Sequence, residues 1–208
     1  MQKYWESLFK EEGALWKFEP SDSAILAINL FKANGIKNII IPGIGYGRNA
    51  KLFLDYGFKV TGIEISKSAI DIAKANRLDC EIHNGSVTLM PYDDELYGGI
   101  YCYALIHLLS KPKRKKFLRS CYNQLKKGGI MIFIVAPTEN NLYGNGKLIS
   151  KNRYKIPGGF SVYFYNSDSI EKEFTEFGLT EFTDIDEPVK FMEGHEPMKF
   201  KFVICKKC

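Results

Sequence analysis

At 208 residues, with 45% hydrophobic and 14% aromatic content, the chain suits one folded domain with a full core and is too apolar for a disordered one. A formal charge of +5 is too mild to demand a nucleic-acid partner. No apolar run reaches the length of a membrane span, Met1-Gln2-Lys3-Tyr4-Trp5-Glu6 lacks a signal-peptide core, and an odd count of five cysteines points to reduced thiols, so a cytoplasmic protein is expected, monomeric or homodimeric, with neither membrane nor nucleic acid as partner.

In chain order, residues 1–35 read as a helical arm. It holds Tyr4-Trp5-Glu6-Ser7-Leu8-Phe9 and a helix capped by Ser21 that carries Ile25, Leu26, Ile28 and Leu30. Residues 36–208 follow as an α/β core within a single domain. Strand-length apolar runs at 37–42, 58–63, 80–83, 99–104 and 129–135 alternate with helical periodicity. Ala50, Phe53 and Leu54 share one helix face, stopped by Gly57. Ala69, Ile72 and Ala73 share another, with Ser66 as N-cap. Leu118, Tyr122 and Leu125 line a third, ended by Gly128-Gly129. The alternation predicts a Rossmann-like three-layer αβα sandwich with ligands at the carboxyl ends of its strands.

Beyond residue 136, the Gly/Asn-rich stretch 139–146 reads as a mobile lid. Phe160-Ser161-Val162-Tyr163-Phe164-Tyr165 alternates like a short strand. A helix starts near Asp168, with Asp168 and Glu171 as a capping-box-like pair. Runs at 179–185 and 198–205 complete a seven-stranded, mostly parallel sheet with an antiparallel C-terminal strand.

The chemistry concentrates where the first strand meets Pro42-Gly43-Ile44-Gly45-Tyr46-Gly47-Arg48, and where the second ends in Glu64. Glycines let backbone approach a ligand, the loop opens a helix whose N-terminus favours negative charge, and a carboxylate accepts hydrogen bonds from two ribose hydroxyls. This describes a nucleoside pocket. Dinucleotide sites space their glycines G-x-G-x-x-G, which would put glycine where Arg48 stands.

The tighter G-x-G-x-G followed by Glu64 resembles the first motifs of class I S-adenosylmethionine (SAM)-dependent methyltransferases, and the resemblance runs the length of the chain. Gly85-Ser86-Val87 is similar to the segment flanking the adenine, Met90-Pro91-Tyr92-Asp93 to the turn before the fourth strand, and Lys126-Lys127-Gly128-Gly129-Ile130 to the turn into the fifth. The resemblance implies SAM as cofactor, held by Gly43, Ile44, Gly45, Gly47, Arg48, Glu64, Ile65, Gly85, Ser86, Val87, Tyr101 and Cys102. Small TehB-like and thiopurine-type enzymes are the nearest in pattern. They imply methyl transfer to a thiol, a chalcogen oxyanion or another metabolite, without a metal. Two positions depart from the pattern: Ile41 and Gly98 stand where relatives carry acids. A module that binds SAM without turnover, or a nicotinamide-dependent oxidoreductase, are the alternatives.

Candidate catalytic groups are His107, His195 and Tyr101. His107 reads as a proton acceptor or as a histidine bonded to backbone; His195 reads as an active-site residue or part of a plain turn. Tyr101 and Tyr103 border the methyl pocket, or one is core. Trp5 and Trp16 cover the cofactor or pack helices. Arg48 reaches the cofactor carboxylate or lies on the helix surface. The run Lys111–Lys116 reads as a solvated helix start, and Cys205-Lys206-Lys207-Cys208 as a chain end or a redox or metal pair.

Overall fold

The computed structural model describes residues 2–15, 17–187 and 197–208. Its elements are α1 (Gln2–Glu12), α2 (Asp22–Ala33), β1 (Asn38–Pro42), α3 (Arg48–Asp55), β2 (Lys59–Glu64), α4 (Lys67–Ala75), β3 (Glu81–Asn84), β4 (Tyr97–Tyr103), α5 (Lys111–Gln124) and β5 (Leu125–Val135). After them come β6 (Lys147–Ser150), β7 (Arg153–Lys155), β8 (Ser161–Tyr163), α6 (Ser167–Phe174), β9 (Leu179–Glu187) and β10 (Met198–Lys206).

Seven strands form one sheet in the order β3-β2-β1-β4-β5-β10-β9. The pairs among β1 to β5 are parallel, and β10 runs antiparallel between β5 and β9. This is the sheet expected from the alternation. The chain leaves β1 toward β2 on one side and returns as β4 on the other, which opens a crevice at their carboxyl ends.

Parallel strands covered by helices on both faces need apolar residues in both directions. Ile39 and Ile41 point with Phe31, Phe53 and Tyr101 toward α2 and α3, while Ile40 points with Phe117, Leu118 and Phe174 toward α5 and α6.

Four boundaries differ from expectation. The buried face of α2 is Ala24, Ala27, Ile28 and Phe31, while Ile25 and Leu26 are 44% and 49% exposed. Two alanines at this spacing bring the helix close to the sheet. Next, α5 stops at Gln124 instead of at the glycine pair, and Lys207 Nζ donates to the freed carbonyls of Tyr122 and Leu125, both at 2.8 Å. The capping box of α6 is Asn166 with Ser169, and Asp168 lies in the first turn. Finally, Lys147–Ser150 and Arg153–Lys155 build, with β8, a separate three-stranded sheet.

The lid stretch is tied down at two points, Asn140 and Tyr143. Asn140 Nδ2 donates to Lys199 O at 2.7 Å, and the Tyr143 ring packs edge-on against Tyr154 and Phe164. Within the basic run Arg114 turns inward, donating through Nε to Glu173 at 2.9 Å and lying 3.9 Å from the Tyr163 ring centre. Cys205 is buried in β10 and Cys208 is exposed, so the two thiols do not share an environment.

Candidate active site

The turn from β1 into α3 passes through positive φ at Gly43, Gly45 and Gly47, a region that L side chains avoid. The three are glycine for different reasons. A Cβ on Gly43 would fall 2.2 Å from Leu105 Cδ1, and one on Gly47 2.4 Å from Leu78 Cδ2. A Cβ on Gly45 would meet no atom within 4 Å. Gly43 and Gly47 therefore let protein pack on protein, and Gly45 faces open space.

Glu64 ends β2 across from this loop and is 6% exposed. Its Oε2 accepts from Gly45 N at 2.9 Å, and its Oε1 accepts from Ile65 N at 2.8 Å and Ser66 N at 2.9 Å. Burial raises its pKa above the ordinary carboxylate range, against the pull of those three N–H groups. A second carboxylate approaches from α1. Glu6 accepts from the Ser66 hydroxyl at 2.8 Å and from the Ser68 hydroxyl at 2.7 Å and amide at 3.2 Å. It caps the start of α4, and those bonds hold its pKa down. Glu6 drew no attention in the sequence, because a cap supplied from another helix leaves no spacing signal.

The segment after β3 closes this edge. Gly85 N donates to Glu64 O at 2.8 Å, and a Cβ there would lie 2.0 Å from the Tyr92 hydroxyl, which itself donates to Ser86 O at 2.9 Å. Ser86 caps a short turn through its bond from Thr88 N, and Val87 is buried. Ile65 is half-buried beside Glu64.

Several other site expectations are corrected. Ile44 turns inward over Gly62, where a Cβ would lie 2.5 Å from its Cδ1. Tyr101 is fully buried on the α2 and α3 face, its hydroxyl 2.8 Å from Ser23 Oγ and 3.0 Å from Ser21 Oγ, so it neither touches a ligand nor performs chemistry. Tyr103 lies on the same face, stacked 6.4 Å from it, because residues two apart on a strand point together. Cys102 points the opposite way into the core around Phe117 and Cys121, and burial pushes its thiol pKa up. Arg48 donates to Glu19 O at 3.0 Å and lies 5.2 Å from the Tyr103 ring centre, bridging the arm to the end of β4. Gly98 lies at the amino end of β4, where its N–H donates to Asn38 Oδ1 at 3.1 Å and a Cβ would crowd that side chain. Its missing acid is a packing matter, remote from the carboxyl edge. His195 and Trp16 lie outside the described residues.

His107 is a structural residue. It is 6% exposed, and its Nδ1 accepts from Ala136 N at 3.1 Å, which assigns the proton to Nε2. Burial first, then the charge of Arg114, pushes its pKa down to about 3. A depressed folded-state pKa stabilises the fold above the unfolded value of 6.5, and that contribution disappears as pH falls toward 3. Stability therefore drops by roughly 1.4 kcal/mol per unit below 6.5, or about 2 kcal/mol at pH 5. Urea titrations across this range test it: His107→Gln should flatten the slope, and an unchanged slope would contradict the assignment.

Two cavities of about 220 Å³ each are lined by neither Glu64 nor the glycine loop. One is bounded by Tyr4, Trp5, Leu108, Arg153, Phe160 and Ser161; the other involves Glu139, Asp184, Asp186 and Lys199.

A family model described as a methyltransferase domain matches residues 41–133. The chain is 25% identical over 206 residues to a tRNA N(3)-methylcytidine methyltransferase, Mettl2, of Drosophila melanogaster, covering 86% of this chain and 62% of that protein. It spans less than two-thirds of the length of the curated relatives it matches first. Among solved structures it resembles 1,6-didemethyltoxoflavin-N1-methyltransferase of Burkholderia thailandensis, at TM-score 0.75 and 14% identity, over 99% of this chain and 86% of that one. It also resembles TehB of Haemophilus influenzae, at TM-score 0.64 and 15% identity, over 87% of this chain and 61% of that one.

Proposed function

We propose that this chain is a class I SAM-dependent methyltransferase, with SAM as cofactor, and that it methylates a small-molecule acceptor: a thiol, a chalcogen oxyanion or another metabolite. The observation that carries the reading is the buried Glu64 carboxylate held against Gly45, whose missing side chain leaves free space at the carboxyl edge of the sheet. These residues fit a nucleoside with a charged tail. Glu64 accepts the ribose hydroxyls, Gly45 gives backbone access, and Ile65, Ser86 and Val87 flank the adenine. Ile41 leaves the end of β1 apolar, so it would offer the methionine amino group no side-chain acceptor.

When bound, the cofactor supplies a methyl group already activated on a sulfonium. The protein's own task is alignment and exclusion of water, which supplies much of the rate. Helix α1 serves both: Phe9 packs edge-on to Tyr46 in the glycine loop, 6.0 Å between ring centres, while Glu6 is bonded to the start of α4. With His107 neutral and its Nδ1 occupied, it supplies no base, which suits an acceptor that ionises unaided.

A second reading, methylation of RNA, is favoured by the similarity to the tRNA-modifying relative over 86% of this chain. SAH release tests both readings against the non-catalytic module. Release with small thiols, phenols, amines, selenite or tellurite supports the small acceptor. Release with tRNA alone supports the second reading, and none with any of these leaves the module that binds without turnover.

A further inference from the structure

Arg153 brings a half-buried positive charge to an aromatic cavity without an acid to balance it. Its Nη1 and Nη2 donate to the carbonyls of Leu109 and Leu108 at 2.7 and 3.2 Å. Those bonds anchor the guanidinium and neutralise nothing. Among the described residues no carboxylate forms an ion pair with it. Glu173 is engaged by Arg114, whose charge opposes that of Arg153. A guanidinium has five N–H donors in a fork that matches a carboxylate, so donors remain for a ligand.

Aromatic rings and one leucine make up much of the rest of the lining. Phe160 lies 5.4 Å from the Tyr4 ring and 6.0 Å from the Trp5 ring, centre to centre, and Leu108 completes the wall. Gly159 and Ser161 add small polar edges. The cavity adjoins the cofactor edge through two elements. Helix α1 sets Tyr4 and Trp5 against Phe160, and Trp5 also lies 6.1 Å from the ring centre of Phe9, which packs on Tyr46, while Glu6 grips Ser66 and Ser68. Leu108 lies in the turn after β4, whose Leu105 covers Gly43.

We infer that this cavity is the acceptor site and that the acceptor is a planar aromatic acid, its ring held by Tyr4, Trp5 and Phe160 and its carboxylate by Arg153. The inference rests on the SAM-dependent reading above. At about 220 Å³ the space is below the ~300–1,000 Å³ of drug-sized sites, which favours a single substituted ring.

Calorimetry on the SAH-saturated protein with 4-hydroxybenzoate and its neutral isostere 4-hydroxybenzamide tests this. The acid should bind at least ~10-fold more tightly than the amide. Arg153→Gln should erase that preference, bringing the affinity for the acid down to that for the amide. Phe160→Leu, which leaves the Leu108 and Leu109 carbonyls untouched, should weaken both ligands by a similar factor. Equal affinity for acid and amide, or a preference that survives Arg153→Gln, overturns the inference. SAH affinity is measured first on every variant: a protein that binds no SAH refutes the cofactor reading, and one that binds SAH but neither ring refutes the acceptor alone. Displacement of 4-hydroxybenzoate by total tRNA, dependent on Arg153, would assign the cavity to a nucleobase and also overturn it.

Discussion

Gly45→Val should bind SAM at least ~100-fold more weakly than the native chain, about 2.7 kcal/mol, while still unfolding in a cooperative transition. The reason is the contrast among the three loop glycines. A side chain at Gly43 or Gly47 strikes Leu105 or Leu78, so those changes act first on the fold. A Cβ at Gly45 would meet no protein atom within 4 Å, so a side chain there projects into the space assigned to the ligand. The fold does bear some cost. Gly45 has φ of 59°, and a branched L residue there costs about 1–2 kcal/mol, or roughly 2–8 °C in Tm for a chain of this length. Calorimetry beside a thermal melt separates the two effects. SAM affinity retained in a folded Gly45→Val protein would show that the ligand passes elsewhere.

Glu64→Ala carries the second large effect. It removes the ribose acceptor and leaves the N–H groups of Gly45, Ile65 and Ser66 without their partner. Charge-assisted bonds of this kind are worth about 1.5–3 kcal/mol, so affinity should fall ~10–100-fold. Glu64→Gln discriminates charge from shape. It keeps the volume but turns an amide N–H toward one of those donors, so it should lose nearly as much affinity as alanine. The pH dependence has a definite sign. The pKa of Glu64 is raised, so it takes up a proton at higher pH than a free glutamate and loses acceptor capacity as it does. SAM binding should weaken on acidification through that raised value. Wild-type affinity in Glu64→Ala would remove Glu64 from the site.

What the sequence disclosed depended on whether a feature was local. The unbroken run Ile39-Ile40-Ile41, the glycine spacing and the acid at Glu64 all encode their environment within a few residues, and the parallel sheet with its carboxyl-edge crevice followed from them. Features assembled across the chain were not legible. Tyr101 lies next to the edge in sequence, yet strand alternation turns it toward Ser21 and Ser23, where its hydroxyl is satisfied by the arm. His107 has the composition of a catalytic group, but the partner of its Nδ1 is a backbone amide from β5. Of the small sheet only β8 was legible; Lys147–Ser150 went unread because it is exposed along its whole length and carries no hydrophobic alternation. Through that sheet Phe160 meets α1 and Arg153 meets the turn after β4, residues far apart in the chain. The cap that Glu6 gives α4 spans two helices far apart in the chain.

The most direct measurement is transfer of labelled methyl from SAM by the full chain, offered small acceptors and total tRNA together and then separated by size. Label in the small-molecule fraction, lost in Gly45→Val, is the predicted result. Label confined to RNA would contradict the small acceptor, and equal small-molecule labelling by Gly45→Val would contradict the placement of the cofactor.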